Sequence, residues 1–395
     1  MVSNFRFASV PNIIFGAGKF SELYDIIANF GKNVLYVIGG SSLNASGKWD
    51  EITSEMLRRS INFYSISIAG EPTPSLIDKA VKKFRQKNLG LIIGIGGGSV
   101  IDAGKAISAM ILKSDSIKEY LEGVGDKIHN GEKIPYIAIP TTSGTGSEAT
   151  KNAVITEVGP EGFKKSLRHD NLVPNYAIVD PKLVVSCPPS ITAACGMDAF
   201  TQLLEAYVSP HSNPVTDTLA YSGIKHVKEN IISVYGHKSS DFNARSAMAY
   251  GSLISGIVLA NAGLGIVHGL ASSIGGLFNI PHGTVCGTLL AESTKMNVKR
   301  LEQADRDGER GLMKYAIVGA LIAGKGYEVN LDVSYYCSVL VETLEMWTEQ
   351  LNLDTLGKYG IIPKDIEKIV KKTQLKNNPV NLNPEDIKEI VVNRI

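Results

Sequence analysis

Short apolar runs that end on glycine and lead into helix-like segments recur along the first half of the chain, and few folds accommodate that order. Asn33-Val34-Leu35-Tyr36-Val37-Ile38 stops at Gly39-Gly40, and Leu89 to Ile95 runs into Gly96-Gly97-Gly98. Ser60 to Ile66, Tyr136 to Pro140 and Tyr176 to Asp180 read as further strands. Apolar runs of this length, bounded by turn residues, are those of strands buried on both faces. The helix-like stretches between them predict parallel pairing and a doubly wound α/β half.

After about Pro188 the period changes. Met197, Phe200, Leu203, Leu204 and Tyr207 fit one helix face, and the stretches 221–234, 245–261, 331–351, 363–373 and 384–392 are also helix-like. The boundary falls near 182–190, giving an α/β domain over 1–185 and an all-α domain over 186–395. Ser246 to Ala291 contains no Asp, Glu, Lys or Arg, which is long enough for a membrane span. Its nine glycines, Asn261, Asn279, Pro281, His268 and His282 instead predict buried helices lining a site.

Charge and cysteine content exclude several classes of function. Forty basic against 39 acidic residues leave a formal charge of +1, which argues against nucleic-acid or anionic-membrane partners. Cys187, Cys195, Cys286 and Cys337 form no CxxC and no disulfide framework, so a reducing compartment is expected. The N-terminal segment has no signal-peptide pattern, and a cytoplasmic location is expected. Glycine is in excess, 39 residues or about one in ten against a typical ~7%, and its positions carry information.

The turn Gly96-Gly97-Gly98-Ser99 follows a buried strand and opens a helix. Glycine lets backbone approach a phosphate closely, and helix N–H groups point at it. The GxGxxG fingerprint is absent, since Ser99 stands where the last glycine belongs, and there is no GxxxxGK[ST] loop. A tight turn with no ligand explains this segment equally well. A second loop, Pro140-Thr141-Thr142-Ser143-Gly144-Thr145-Gly146-Ser147-Glu148, also follows a strand and supplies hydroxyls beside glycines. Two such loops at the carboxyl ends of one sheet converge on a crevice, which predicts a dinucleotide site.

The helical half carries metal-ligand chemistry. Asp198 and Gln202 lie four residues apart on one helix face, and His268 and His282 lie in the uncharged stretch. Two imidazoles and a carboxylate suit a divalent transition metal with an open position. Hydrogen-bonded core residues are the competing reading at this point. The remaining histidines, His129, His169, His211, His226 and His237, lie in polar sequence and are expected mostly at the surface.

In this order the segments resemble the iron-containing (group III) alcohol dehydrogenase family along nearly the whole chain. The matching segments are Asn12 to Gly18, Gly96 to Ala106, the Pro140–Glu148 loop, Ala177 to Pro181, Gly196 to Gln202 with Glu205 to Ser209, His268 to Ala271, and Pro281 to Gly283. The resemblance implies an N-terminal α/β dinucleotide-binding domain and a helical C-terminal domain, an architecture shared with dehydroquinate synthase. It implies a homodimer or larger homo-oligomer. It also implies hydride transfer between NAD or NADP and a small alcohol or aldehyde, with Fe2+ or Zn2+ in the cleft. Gly96, Gly97, Gly98, Ser99 and Asp102 would lie at the pyrophosphate and nicotinamide, and Thr141, Thr142, Thr145 and Ser147 at phosphate and ribose. Lys164 would also reach the cofactor. Asp198, His268 and His282 would hold the metal, with Gln202 near or on it.

Three positions depart from the family pattern. Gln202 replaces a histidine ligand, and Ser272 replaces a second histidine four residues after His268; Ser272 is the expected proton relay. An amide oxygen is a poorer partner than imidazole for a transition metal. These changes weaken iron and leave open a metal-free reductase of the maleylacetate-reductase kind. Gly39, followed by Gly40, Ser41 and Ser42, stands where NAD-preferring members carry Asp, and Gly39 and Ser41 are therefore expected at a ribose that tolerates a 2′-phosphate. A dehydroquinate-synthase-type lyase needs cations for a phosphorylated substrate, and the 246–291 stretch has none. A non-catalytic nucleotide-binding protein is the remaining alternative.

Overall fold

A computed structural model of the chain describes residues 4–40, 42–304, 306, 308–326 and 330–395. Strands β1 (Asn12–Phe15), β2 (Asn33–Ile38), β3 (Asn62–Ser67), β4 (Leu91–Gly96), β5 (Tyr136–Pro140) and β8 (Tyr176–Val179) form one sheet. Their order is β1-β8-β5-β4-β2-β3, and every pairing in it is parallel. The intervening helices are α1 (Leu23–Ile27), α2 (Ser42–Ala45), α3 (Lys48–Arg58), α4 (Pro74–Phe84) and α5 (Gly98–Met110).

Why these runs became central strands is visible in the core. Along β2 and β4, Leu35, Val37 and Ile92 pack with Ile77, Val81, Phe84 and Ile107 on one face. The alternate residues Val34, Tyr36, Leu91, Ile93 and Ile95 pack with Ile27, Ile52 and Met56 on the other. Side chains alternate across a strand, so a strand clothed on both faces must be apolar throughout. Each such fully buried side chain contributes roughly 1.5–3 kcal/mol.

A second, two-stranded sheet was not expected. β6 (Asn152–Glu157) and β7 (Phe163–Arg168) form an antiparallel ribbon. Its residues Phe163-Lys164-Lys165-Ser166-Leu167-Arg168 are too polar to announce a strand, because one side of the ribbon faces the cavity described below. The helix after β4 begins at Gly98, within the turn expected to open it.

After β8, no strand occurs among the described residues. The chain continues as α6 (Pro189–Val208), α7 (Pro214–Tyr235), α8 (Phe242–Ala262), α9 (Ile266–Leu277), α10 (His282–Glu302), α11 (Glu309–Ile322), α12 (Val333–Gln350), α13 (Ile366–Lys372) and α14 (Pro384–Val392). Pro188 and Pro189 start α6, where a missing N–H and a fixed φ cost nothing. One apolar core joins these helices, with Met197, Phe200, Val227, Ile254, Leu270, Leu289 and Trp347 at its centre. Phe200 and Trp347 meet edge to face at 5.1 Å. Among the described residues no single helix is long and apolar enough to cross a membrane; α8 and α9 reach that composition only together, bent by 98°.

One surface expectation was wrong. His129 is 3% exposed, with Nε2 against the Ala109 carbonyl at 3.2 Å and Nδ1 accepting from the Gly131 N–H at 3.0 Å. A histidine whose two nitrogens both find backbone partners can be buried without a charge, and polar sequence neighbours do not reveal that. His211 and His237 are exposed, and His169 and His226 are half-buried.

Candidate active site

β4 and β5 are adjacent and parallel, so the loops that follow them emerge side by side at the same sheet edge. The Thr141 N–H bonds to the Gly96 carbonyl at 2.9 Å, and Gly97 caps α5. Gly98 stands against Thr145: a Cβ there would lie 2.5 Å from Thr145 Cγ2 and 2.7 Å from its Oγ1. Only glycine permits that approach. Gly146 adopts φ +58, and its backbone lies against Gly256 of α8, which seats the second loop on the helical half. The N–H groups of Gly98 and Ser99, at the start of α5, lie in the first turn, where helix N–H groups have no intrahelical partner.

A buried charge cluster holds the two loops together. The Lys105 ammonium, on α5, donates to Ser147 O at 2.8 Å, Thr150 Oγ1 at 3.0 Å and Asn152 O at 2.7 Å. Its distance to Asp102 Oδ1 is 3.7 Å. Asp102 accepts from the Ser147 hydroxyl and, at 3.0 Å, from the Val154 N–H. Burial pushes the Lys105 amine down to about 8, against the pull of Asp102 and Glu148. Glu148 is pushed up to about 7, also by burial.

The helical half presents its own cluster across from these loops. His268 Nε2 lies 3.4 Å from Asp198 Oδ1, and His282 Nε2 lies 3.7 Å from the same oxygen. Asp198 Oδ1 and His282 Nδ1 are buried and have no hydrogen-bond partner. His268 Nδ1 instead donates to Glu205 Oε2 at 2.6 Å, and Glu205 Oε1 accepts from the Val267 N–H at 2.7 Å. Burial works against charge on Asp198, yet His268 beside it, by charge and hydrogen bond, holds its carboxyl below the usual range. Burial, with Lys164 and His268 nearby, pushes His282 down to about 3. Of these two orphaned atoms only Asp198 Oδ1 faces the imidazole nitrogens of the cluster, and an unpaired buried carboxylate oxygen beside two imidazoles is a place where a cation fits.

These features share one cavity. Its volume is about 610 Å3, and Gly97, Gly98, Ser99, Asp102, Thr142, Thr145, Ser147 and Lys164 line one side. Asp198, Gln202, His268, Ser272 and His282 line the other. Gly39, Gly96 and Thr141 do not line it: Gly96 ends β4, and Gly39 follows β2 with its N–H on the Ile95 carbonyl at 3.3 Å. Ser41 lies outside the described residues. Lys164 sits on β7 and pairs with Glu71 at 3.2 Å. The Gln202 amide oxygen accepts from Ser255 Oγ of α8 at 2.6 Å. Ser272 Oγ donates to the His268 carbonyl at 2.8 Å and lies 3.3 Å from Lys376 Nζ.

Comparison with known proteins gives this geometry a family. Residues 11–181 match the model for iron-containing alcohol dehydrogenase, and 192–395 match that for the C-terminal part of the Fe-containing alcohol dehydrogenase family. The chain belongs to this family. It is therefore an oxidoreductase of alcohols and aldehydes. Long-chain-alcohol dehydrogenase 1 of Geobacillus thermodenitrificans is 34% identical over 97% of this chain and 96% of its own length. An NADPH-dependent butanol dehydrogenase of Clostridium saccharobutylicum is 31% identical over 98% of this chain and 96% of its own. The solved alcohol dehydrogenase from Oenococcus oeni superposes with a TM-score of 0.86 at 25% identity, covering 99% of this chain and 100% of that one.

Within this family fold, two residues beside the acid–imidazole cluster escaped sequence reasoning. Glu205 lies seven residues after Asp198 on α6, the spacing of one helix face, and orients His268. Cys286 lies one turn after His282 on α10, its sulfur 3.8 Å from His268 Nε2 and 3.7 Å from His282 Nε2. Helical periodicity around each ligand would have found both. Lys376, exposed at the cavity mouth beside Ser272, had no local signal, since it is brought there by the chain beyond α13.

Proposed function

We propose that this alcohol dehydrogenase transfers hydride between NAD(P)(H) and a small primary alcohol or aldehyde inside the 610 Å3 cavity. The observation that carries the reading is that one cavity is walled by two glycine-hydroxyl loops and by the Asp198–His268–His282 cluster. The division of labour follows the chain: residues 1–185 carry the cofactor and 186–395 the metal and substrate. When bound, nicotinamide supplies hydride, and Fe2+ or Zn2+ supplies Lewis-acid polarisation of the substrate oxygen.

The protein's own residues prepare that chemistry. Gly97, Gly98 and Ser99 offer backbone N–H groups at the α5 N-terminus to the pyrophosphate. Thr142, Thr145 and Ser147 offer hydroxyls to phosphate and ribose, and Lys164 offers a charge from the opposite ribbon. Asp198, His268 and His282 would hold the cation, with Glu205 fixing which His268 nitrogen would face it. Ser272 Oγ, between the His268 carbonyl and Lys376 Nζ, is positioned to pass a proton toward the cavity mouth. Gly39 follows β2 without a carboxylate, which favours tolerance of the NADP 2′-phosphate. The four cysteines are free, in keeping with a cytoplasmic enzyme.

The test is a panel of short alcohols and aldehydes followed by absorbance of the reduced cofactor. NADH and NADPH are each tried with and without added zinc or iron. Turnover that collapses on chelation and returns on reloading is expected. No turnover with any combination would overturn the reading. Full turnover by protein carrying less than ~0.1 metal per chain would leave the cofactor assignment and overturn the metal.

A further inference from the structure

Resting on the metal reading above, we propose that Cys286 is a fourth protein ligand, making the centre an Asp-His-His-Cys site that selects zinc. Asp198, His268, His282 and Cys286 each offer one donor atom, and these four atoms lie within 4.8 Å of one another. Zinc binds nitrogen and carboxylate oxygen at ~2.0–2.2 Å and thiolate sulfur at ~2.3 Å, so tetrahedral nitrogen–oxygen edges come to about 3.3 Å and nitrogen–sulfur edges to about 3.6 Å. The observed nitrogen–oxygen separations are 3.4 and 3.7 Å. The nitrogen–sulfur separations are 3.8 and 3.7 Å. Each exceeds the expected edge by only a few tenths of an ångström.

Two further observations separate Cys286 from an ordinary core thiol and from Gln202. Cys286 is fully buried, yet its sulfur faces both imidazole nitrogens that are directed at Asp198. His282 and Cys286 are one turn apart on α10, so the backbone already aims both donors to one side. The Gln202 oxygen is engaged by the Ser255 hydroxyl of the neighbouring helix α8, at 2.6 Å. The histidine that Gln202 replaces on α6 is thus compensated by a donor on α10. Imidazole, carboxylate and thiolate together suit zinc, and the thiolate in place of a further oxygen donor moves the set toward it. Catalytic zinc sites expand to five ligands, so a fourth protein donor does not close the cavity.

Cobalt(II) makes the ligand visible. The full-length protein, stripped and reloaded with Co2+, is assayed for bound cobalt and for absorption. One cobalt per chain with a near-ultraviolet thiolate-to-cobalt charge-transfer band is expected in the unaltered protein and in C337S, C195S and Q202A. C286S should lose that band while keeping visible ligand-field bands, and should bind Zn2+ at least ~10–100-fold more weakly, the loss that even an outer partner causes. Cobalt bound without the charge-transfer band, or a band that persists in C286S, overturns the cysteine ligand alone. No cobalt bound by the unaltered protein overturns the metal reading together with it. Because Cys286 is buried, folding of C286S is checked by thermal melt; a folded C286S with unchanged Zn2+ affinity also overturns the proposal.

Discussion

Replacing Lys105 by Met is the most direct test of how the cofactor loops are held. Lys105 is 1% exposed, and its ammonium donates to two carbonyls and to the hydroxyls of Ser147 and Thr150. Met keeps the length and apolar stem but strands those acceptors and removes the positive charge beside Asp102. Thr150 Oγ1 also reaches Ser147 O at 3.2 Å, so part of the loss is recovered. Removing one partner of a buried, hydrogen-bonded charge pair costs about 3–5 kcal/mol. With an unfolding entropy of ~2.1 cal/mol/K per residue, 4 kcal/mol lowers Tm by about 5 °C if the chain melts as one unit and by about 10 °C if its first half melts alone. Differential scanning calorimetry at pH 7, where the amine is still protonated, measures this. Because Ser147 and Thr150 line the cavity, KM for the dinucleotide rises in parallel. Lys358→Met is the comparison: its pair with Asp354, at 2.6 Å, lies on the surface, where ion pairs contribute little to stability. A K105M melt within 1 °C (roughly 1 kcal/mol) of the unaltered protein, with unchanged KM, would refute the clamp.

Other substitutions probe separate links. Gly98→Ala drives a methyl into Thr145; overpacking costs ~1–3 kcal/mol, and at tenfold per ~1.4 kcal/mol the dinucleotide KM rises about 5- to 150-fold with kcat less affected, which steady-state kinetics will read. Glu205→Gln leaves the fold intact but frees His268 to turn, so Zn2+ affinity falls by roughly 10–100-fold in a competition titration with a chromogenic chelator. Arg300→Met tests an acid limb. Burial disfavours the Asp386 carboxylate, but Arg300, with Nη2 at 2.6 Å, outweighs it and holds the pKa below the usual carboxylate value. A depressed folded pKa gives stability that is complete above the unfolded pKa and lost as pH falls through the folded one. R300M should therefore be less stable at pH 7, and the gap should close below about pH 4; a gap independent of pH would exclude the pair as its cause.

The fold was legible where burial is two-sided. A strand such as Leu91–Gly96 must satisfy packing on both faces, so its sequence is apolar without interruption and the glycine that ends it is conspicuous. The β6–β7 ribbon was illegible for the opposite reason. Lys164 pairs with Glu71 and points into the cavity, so a strand built to present charge carries none of the periodicity by which strands are read. His129 failed similarly: its partners are the backbone groups of Ala109 and Gly131, and backbone partners leave no mark on composition.

The metal cluster shows where such reading can be extended. Asp198, His268 and His282 stood out as chemically expensive residues in apolar segments, but Glu205 and Cys286 did not, because a glutamate and a cysteine are unremarkable one at a time. What distinguishes them is phase: each lies on the same helical face as a residue of the cluster, at i+7 from Asp198 and i+4 from His282. Burial then converts phase into necessity. Glu205 is buried, so its charge must be met, and His268 Nδ1 and the Val267 N–H meet it. Asp198 is buried as well, yet its Oδ1 finds no donor among the described residues. Of the two carboxylates on α6, only Glu205 has its charge met by hydrogen bonds, and the other stands among a histidine from α9 and a histidine and a cysteine from α10, the grouping from which a cation site is proposed.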